Sequence, residues 1–302
     1  MSCVIAIDLG SNSLQMVQYD CTLEEAQKRF LATVRTAEGL IKTKKISKEA
    51  IKRIVDALNR AKKELDFQKC QVQAVTTQAL RVATNQKEVL EAIKSQTGVE
   101  FEVISPQKEG ELTLKAVQNR LKKLGIYQDF VLVDIGGGST ELSFFIDGNI
   151  YSKSFDLGIV TTANSCKNLE EIEAFVKERA KEIEAFAKEF TTQDIIFTAT
   201  AGTPTTLAAM KLGLTYKTYE ADRVTGTKLT LDEVDFYLQK LLNMNKKERE
   251  IAVGVGRDDL IVAGVIIFKE VFKILNKKEV IVIDDGLAMG VAISACVKLK
   301  EA

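Results

Sequence analysis

Apolar and polar residues alternate along this chain with two different periods, and the points where one gives way to the other mark its elements. The β-rich run CVIAIDLG ends in a glycine-polar turn, Gly10-Ser11-Asn12-Ser13, and LQMVQYD continues as a second strand, which predicts a hairpin with a polar tip. FVLVDIGGGSTELSFFIDG repeats that arrangement. An apolar strand from Phe130 to Val133 leads into Asp134-Ile135-Gly136-Gly137-Gly138-Ser139-Thr140, then a second strand and a turn at Asp147-Gly148. One supersecondary unit therefore occurs twice.

Helical periods fill the space between and after the hairpins. From Ser47, a cap, the apolar positions Ile51, Ile54, Val55, Leu58 and Leu65 recur at helical spacing. Asn85 with Glu88 opens a helix that stops before Gly98, and Ser105-Pro106 opens another that stops before Gly125. The strands QVQAVTT and EFEVIS lie between them. Further on, a helix is predicted from Asn168 through Phe190, a buried strand at DIIFTATAG, and a helix capped by Thr203 with Pro204 in its first turn. Thr230 and Glu233 form a capping box, RDDLIVAGVIIFKEVFKIL reads as a central buried helix, EVIVIDDG as the last strand, and GLAMGVAISACVKLK as a closing helix. Strands alternating with helices imply α/β layering with parallel pairings. No low-complexity linker separates the halves, so the boundary is placed at the short stretch Gly125 to Asp129.

Length and composition sharpen this picture. At 302 residues the chain can form two domains, each with a core of its own. No apolar run approaches the roughly 20 residues of a membrane span, and MSCVIAIDLGS has no basic segment ahead of its apolar stretch, so the expectation is a cytoplasmic protein without a leader. Lysine plus arginine equals aspartate plus glutamate, 42 against 42, which gives no global field for nucleic acid. The five cysteines are scattered and lack C-x-x-C spacing, and read as idle thiols of a reducing compartment. The histidine count is zero, which excludes Ser-His-Asp and Cys-His catalysis, phosphohistidine and histidine-based zinc or di-iron sites. Hydrolytic chemistry here must rest on carboxylates and hard, oxygen-loving cations.

Two strand-borne aspartates, Asp8 and Asp134, each followed by a glycine-polar turn, suit a phosphate grip. The glycines Gly10, Gly136, Gly137 and Gly138 let backbone N–H groups approach phosphate oxygens where side chains would clash, and successive N–H groups form an anion-binding nest. Ser11, Ser13, Ser139 and Thr140 add hydroxyl donors, with Asn12 in the same turn. Carboxylates repel phosphate directly, so Asp8 and Asp134 are candidates to hold Mg²⁺ (or Mn²⁺) through its water shell. A single Asp-x-Gly after a strand is ordinary turn chemistry. Its repetition, with a triple glycine that regular structure would not favour, points to phosphate.

At these residues the chain resembles the exopolyphosphatase and guanosine pentaphosphate phosphohydrolase family within the actin and sugar-kinase superfamily. The blocks IAIDLGSNS, TTQALRVATN, FEVISPQKEG, DIGGGSTEL, SFDLGIV, TAGTPTTLAA, RDDLIVAG and DDGLAMG match in order over essentially the whole chain, stopping where longer members add a helical, HD-like region. The resemblance implies an α/β fold of two RNase H-like, actin-like ATPase domains with a cleft between them. The first would be residues 1–125 completed by the helix 288–302, and the second 126–287. It implies Glu109 as general base for the attacking water, its carboxyl raised by cleft burial, and Arg81 and Arg257 as phosphate contacts. Gly202 and Thr203, at a helix start, would be a further anion site, and Glu141 a metal or loop support. The implied reaction is removal of the terminal phosphate of inorganic polyphosphate or guanosine pentaphosphate, by a homodimer.

Several positions depart from the family pattern. Lys108 replaces the first glutamate of a Glu-Glu pair, Pro106 stands where glycine is usual and removes an N–H, Gln15 occupies a place where many members have arginine or histidine, and Ala288-Met289 replaces a more polar pair. These motivate an alternative, a catalytically weak protein of the same fold that binds guanosine tetraphosphate or polyphosphate as a regulator. A kinase or ATPase is the least favoured reading, because the blocks around Arg81 and Glu109 match the phosphatase branch.

Overall fold

Periods of two and of three to four residues resolve into a ladder of short strands and covering helices in the computed structural model, which describes residues 3–190 and 194–301. In chain order these are β1 (Cys3–Leu9), β2 (Ser13–Asp20), β3 (Glu25–Thr33), α1 (Leu40–Thr43), α2 (Lys48–Glu64), β4 (Gln71–Thr76), α3 (Gln78–Val82), α4 (Gln86–Thr97), β5 (Phe101–Val103) and α5 (Pro106–Lys123). There follow β6 (Phe130–Ile135), β7 (Thr140–Ile146), β8 (Asn149–Phe155), α6 (Ile159–Ser165), α7 (Leu169–Ala187), β9 (Ile196–Thr200) and α8 (Gly202–Lys211). The last are α9 (Ala221–Val224), β10 (Lys228–Thr230), α10 (Leu231–Asn243), α11 (Lys246–Val253), α12 (Ile261–Leu275), β11 (Glu279–Val282) and α13 (Leu287–Glu301).

The chain divides into two units, one taking the sequence up to Ala116 and again from Leu287, the other Val117–Gly286. The first has a sheet of order β3-β2-β1-β4-β5, the second β10-β11-β9-β6-β7-β8. In the first, β1 pairs antiparallel with β2 and β2 with β3, while β1, β4 and β5 run parallel. In the second, β6-β7-β8 are antiparallel and β6, β9 and β11 parallel. The repeated hairpin seen in the sequence is thus the start of a repeated sheet. The third strands, β3 and β8, escape sequence reading because both are edge strands with largely exposed residues and little alternation.

The period-two rule assigns the faces of the first sheet. Val4 and Ala6 of β1, with Val17 and Tyr19 of β2, pack on Ala288, Val291, Ala292 and Cys296 of α13 and on Leu112 and Ala116 of α5. Asp8, two residues past Ala6, lies on that face too. The helices α5 and α13 approach so closely that a Cβ on Gly290 would stand 1.9 Å from the Leu112 carbonyl oxygen. In the second unit α12, apolar nearly all round, is buried as expected, its Phe268 and Phe272 flanking Phe197 of β9.

Helix boundaries follow their signals with two exceptions. Ser47 Oγ accepts from Ala50 N at 3.1 Å, Asn168 Oδ1 from Glu171 N at 2.9 Å, and Thr230 and Glu233 close a reciprocal capping box. Asn85 instead clamps both backbone groups of Ile46, and Thr203 sits inside α8, behind Ala201, with a buried hydroxyl that caps nothing. The passage between units falls within α5, ahead of the Gly125–Asp129 loop where the sequence places it: Leu112 and Ala116 belong to the first core, whereas Arg120 bonds Asp285 in the second unit. No helix among the described residues is long and apolar enough to cross a membrane.

The reading of the cysteines as five idle thiols is corrected by the fold. Cys3 pairs with Cys70 and Cys21 with Cys296 in disulfides whose Cα atoms are 4.7 and 5.3 Å apart, leaving Cys166 free. Sequence spacing gave no hint because the partners are 67 and 275 residues apart and meet only through strand pairing and the return of the last helix. Cys3 opens β1 and Cys70 precedes its parallel neighbour β4, whereas Cys21 follows β2 and meets α13. Each closes a long loop, which stabilises by roughly 2–4 kcal/mol in typical proteins. Unfolded under denaturant without reductant, the protein is therefore expected to expose one titratable thiol. After full reduction it should expose five, with a melting temperature lower by about 5 °C or more. Five free thiols at the outset would overturn both pairings.

Candidate functional site

Ligands of open α/β sheets gather at the carboxyl ends of the parallel strands. In the first unit those ends are Leu9, Thr76 and Val103, of β1, β4 and β5. From the first emerges the turn Gly10–Ser13, closed by Gly10 N donating to Ser13 O at 2.9 Å. The carbonyls of Ser11 and Asn12 are taken by amides of the segment after β3: Ala37 N reaches Ser11 O at 2.8 Å, and Val34 N and Arg35 N both reach Asn12 O at 2.9 Å. The amides of Ser11 and Asn12 donate to no backbone carbonyl among the described residues, the state an anion nest requires.

Around this turn the structure leaves buried oxygens without partners. They are Asp8 Oδ1, Asn12 Oδ1 and Thr36 Oγ1. Burial pushes the Asp8 carboxyl up to about 7, since nothing nearby compensates its charge. An orphaned carboxylate oxygen beside a phosphate-type turn fits a cation better than a purely structural role.

The ends of β4 and β5 lead into segments that meet in an ion pair. Arg81 of α3 donates through Nη1 to Glu109 Oε2 at 2.7 Å and to Ile104 O at 3.0 Å, and through Nη2 to Gln78 Oε1 at 3.1 Å. Both partners of the ion pair are largely buried, with side chains 13% and 12% exposed. Glu109 lies in the first turn of α5, which opens at Pro106. Lys108, which the sequence set beside Glu109 as a disturbing cation, is half exposed and lies 4.0 Å from Glu111 instead. Helical geometry turns residues 108 and 109 to different faces.

The second unit repeats the arrangement at the ends of β6, β9 and β11. Gly136 N donates to Ser139 O at 2.9 Å, matching the closure of the first turn. The carbonyls of Gly136 and Gly137 are taken by Ile159 N and Val160 N, from the start of α6, at 3.0 and 2.7 Å. Contact there is so close that a Cβ on Gly158 would stand 2.2 Å from the Gly138 carbonyl carbon. Asp134 lies directly across the ladder from Glu141, which is 3% exposed and accepts from Ser139 Oγ and Ser154 Oγ, each at 2.7 Å. Carboxylates opposite each other on paired strands repel unless a cation or proton intervenes. Thr140 is buried and spends its hydroxyl on Leu157 O.

At the end of β9, Ala201 adopts φ 70° and ψ −173°, a region that residues with a Cβ seldom occupy, and α8 begins at Gly202. Arg257 is half-buried and donates to Gly202 O at 2.9 Å and Thr206 Oγ1 at 3.2 Å, with desolvation lowering its pKa. After β11, Asp284 accepts from Tyr219 OH at 2.7 Å and Asp285 from Arg120 Nε at 2.5 Å. Both sequence-nominated arginines are thus engaged within the protein, Arg81 by a carboxylate and Arg257 by a helix start. No cluster of three or more potential metal-ligating acids, cysteines or histidines occurs among the described residues. Mg²⁺ is commonly held by one or two carboxylates plus substrate phosphates, and Asp8 and the Asp134–Glu141 pair fit that pattern.

The profile of the Ppx/GppA phosphatase family matches residues 25–299, and the chain belongs to this family. It is 28% identical to exopolyphosphatase 2 of Mycobacterium tuberculosis, over 96% of this chain and 98% of that protein. A bifunctional 3-dehydroquinate synthase/phosphatase of Fusobacterium nucleatum is 27% identical over 94% of this chain, which spans only 45% of that relative. The crystal structure of the Aquifex aeolicus Ppx/GppA family member matches at 28% identity with a TM-score of 0.78, covering 99% of both chains. An exopolyphosphatase from Cytophaga hutchinsonii matches in fold, with a TM-score of 0.86 at 22% identity over 98% of each chain. The fold is the actin-like ATPase fold of that family.

Sequence reasoning missed the bracing of both turns. The 34–37 segment carries no glycine-rich signature, and its role shows only in backbone bonds. Gly158, in the quoted SFDLGIV block, was a signal that could have been read. Two outcomes follow from these contacts. Gly158→Ala should push the triple-glycine turn out of place and cut phosphate release from tripolyphosphate at least about tenfold, a misplacement effect; unchanged kinetics would show that the turn is unimportant. For Asp8, the folded pKa lies above the unfolded one, so its contribution to stability is full below about pH 4 and is lost as pH rises through about 7. With chelator present, urea unfolding should show this contribution falling between about pH 4 and 7 by on the order of a few kcal/mol, with no further change above that. Asp8→Asn should abolish that part of the slope, and an identical slope in the variant would refute the assignment.

Proposed function

We propose that this chain is a phosphoanhydride hydrolase that removes the terminal phosphate of inorganic polyphosphate, with guanosine pentaphosphate, which presents the same terminal anhydride, as a second substrate. The observation that carries this reading is the position of Glu109. It is a largely buried carboxylate, fixed at 2.7 Å by Arg81, at the carboxyl end of the sheet that also presents the Gly10–Ser13 turn. Among relatives, the M. tuberculosis protein is named an exopolyphosphatase.

On this reading each turn offers phosphate oxygens its backbone N–H groups, the first unit's turn with Ser11 and Ser13 and the second unit's with Ser139. Water attacks the terminal phosphorus in line, Glu109 accepts its proton, and the bond to the bridging oxygen breaks, releasing orthophosphate and a chain one phosphate shorter. The bond from Arg81 to Glu109 at 2.7 Å supports a role in which the guanidinium is shared between Glu109 and the phosphoryl group, holding base and target together. Arg257 supports the start of α8, near Gly202 and Thr203, more directly than it offers a free fork. Asp8 in the first unit, and Asp134 with Glu141 in the second, would each be able to hold Mg²⁺ (or Mn²⁺), which when bound would neutralise phosphate charge.

A second reading, a binding protein with slow turnover, draws on Gln15. Its register partner across the hairpin is Asp8, so an uncharged amide stands opposite the proposed metal carboxylate where the family resemblance leads one to expect a cation. Phosphate release measured side by side on long-chain polyphosphate and guanosine pentaphosphate, with and without Mg²⁺, separates the two. Glu109→Gln is expected to lower release about 100-fold or more, and also to lower the melting temperature, because Arg81 loses its ion-pair partner. Full activity in that variant would remove Glu109 from the role of base.

A further inference from the structure

The two phosphate turns are braced by different means. The second leans on the first residues of α6, through backbone groups alone: Ile159 N to Gly136 O and Val160 N to Gly137 O. The first leans on residues 34–37, a stretch outside any helix or strand, in which Arg35 adopts φ 48°. Such a conformation is rare for a residue with a side chain and persists only where the surroundings enforce it.

What enforces it is one side chain from α2. Arg53 donates through Nε to Val34 O at 2.8 Å and through Nη2 to Arg35 O at 3.3 Å and to Glu38 Oε2 at 2.7 Å. Val34 and Arg35 are the two residues whose amides hold Asn12 O. The guanidinium fork therefore takes the carbonyls of the residues whose N–H groups support the turn, and a rigid planar donor set is what allows one group to do so. Its own base is firm, because Ile54, Val55, Ala57 and Leu58 of α2 are buried on either side of the following turn. An uncommon backbone shape, a lack of regular structure and a many-contact cation converge on the segment that holds Ser11 and Asn12.

We propose that Arg53 is a positioning residue for substrate phosphate: it fixes the 34–38 segment, which in turn holds the Gly10–Ser13 turn in its anion-binding shape. This rests on the reading of that turn as a phosphate site. The position touches none of the residues assigned to proton transfer or metal, so its effect should appear in substrate affinity rather than in the chemical step.

The test compares Arg53→Met, Arg53→Lys and the neighbouring control Lys52→Met in the full chain, Lys52 being exposed and paired with Asp56 on its own helix. Amide hydrogen exchange of Val34, Arg35 and Ala37 should quicken at least about tenfold in Arg53→Met, with Ile159 and Val160 unchanged. KM for tripolyphosphate should rise at least about fivefold with a smaller change in kcat. Arg53→Lys should fall between, and Lys52→Met should match the unaltered protein. Unchanged exchange at residues 34–37, or an unchanged KM despite faster exchange, would overturn the proposal, as would a lower melting temperature with unaltered KM. Should Arg53→Met not fold, Glu38→Gln weakens the ion pairs of Glu38 with Arg53 and Arg35 while leaving the Arg53 bonds to the backbone, and should give the same pattern at about twofold. If the unaltered protein releases no phosphate at all, the hydrolase reading fails; calorimetric affinity for tripolyphosphate then replaces KM, and the role of Arg53 stands or falls on that affinity together with exchange.

Discussion

A backbone that offers bare amides to an anion must dispose of the carbonyls of the same peptides, because a buried carbonyl without a donor is costly and a free one repels phosphate. Both glycine turns of this protein meet that constraint in the same way. Each closes on itself through its first glycine amide, at Gly10 and Gly136, and each gives its middle carbonyls to amides arriving from a later segment. Much of the architecture near the turns can be understood as delivery of those amides. The third strand of each sheet, β3 and β8, returns the chain to the correct end, and the residues immediately after it supply the donors.

The same constraint explains what could be seen in the sequence. The turns themselves were legible because glycine and hydroxyl residues carry the anion-binding geometry locally, and the repeated strand-Asp-x-Gly pattern needs no knowledge of distant residues. The helices were legible where side chains cap them, as at Ser47, Asn168 and Thr230. Thr203 misled because Ala201 adopts a backbone shape that starts α8 earlier. The braces were invisible, since an amide donor has no residue-type signature: Val34, Arg35 and Ala37 act through atoms every non-proline residue possesses. The disulfides were hidden for a related reason, as their pairing is a property of the sheet and of α13 rather than of spacing.

Among candidate chemistry, the largest gain from the structure is the link between Arg81 and Glu109. Read separately, one was a phosphate contact and the other a base. Held at 2.7 Å with both side chains largely buried, they form a unit in which the cation orients the carboxylate. The lysine substituted at position 108 points to Glu111, so this departure from the family pattern leaves the pair intact. The departure that touches the site is Gln15, the register partner of Asp8.

The first unit contains both ends of the chain, and its core includes α13, whereas the second is the contiguous stretch Val117–Gly286. During synthesis the second unit therefore leaves the ribosome whole, while the first waits for α13, which follows the second unit in the chain. Until α13 arrives, the face of β1 that carries Val4, Ala6 and Asp8 lacks its cover. A nascent chain thus acquires the triple-glycine turn in a finished domain well before the Asp8 strand gains a completed core.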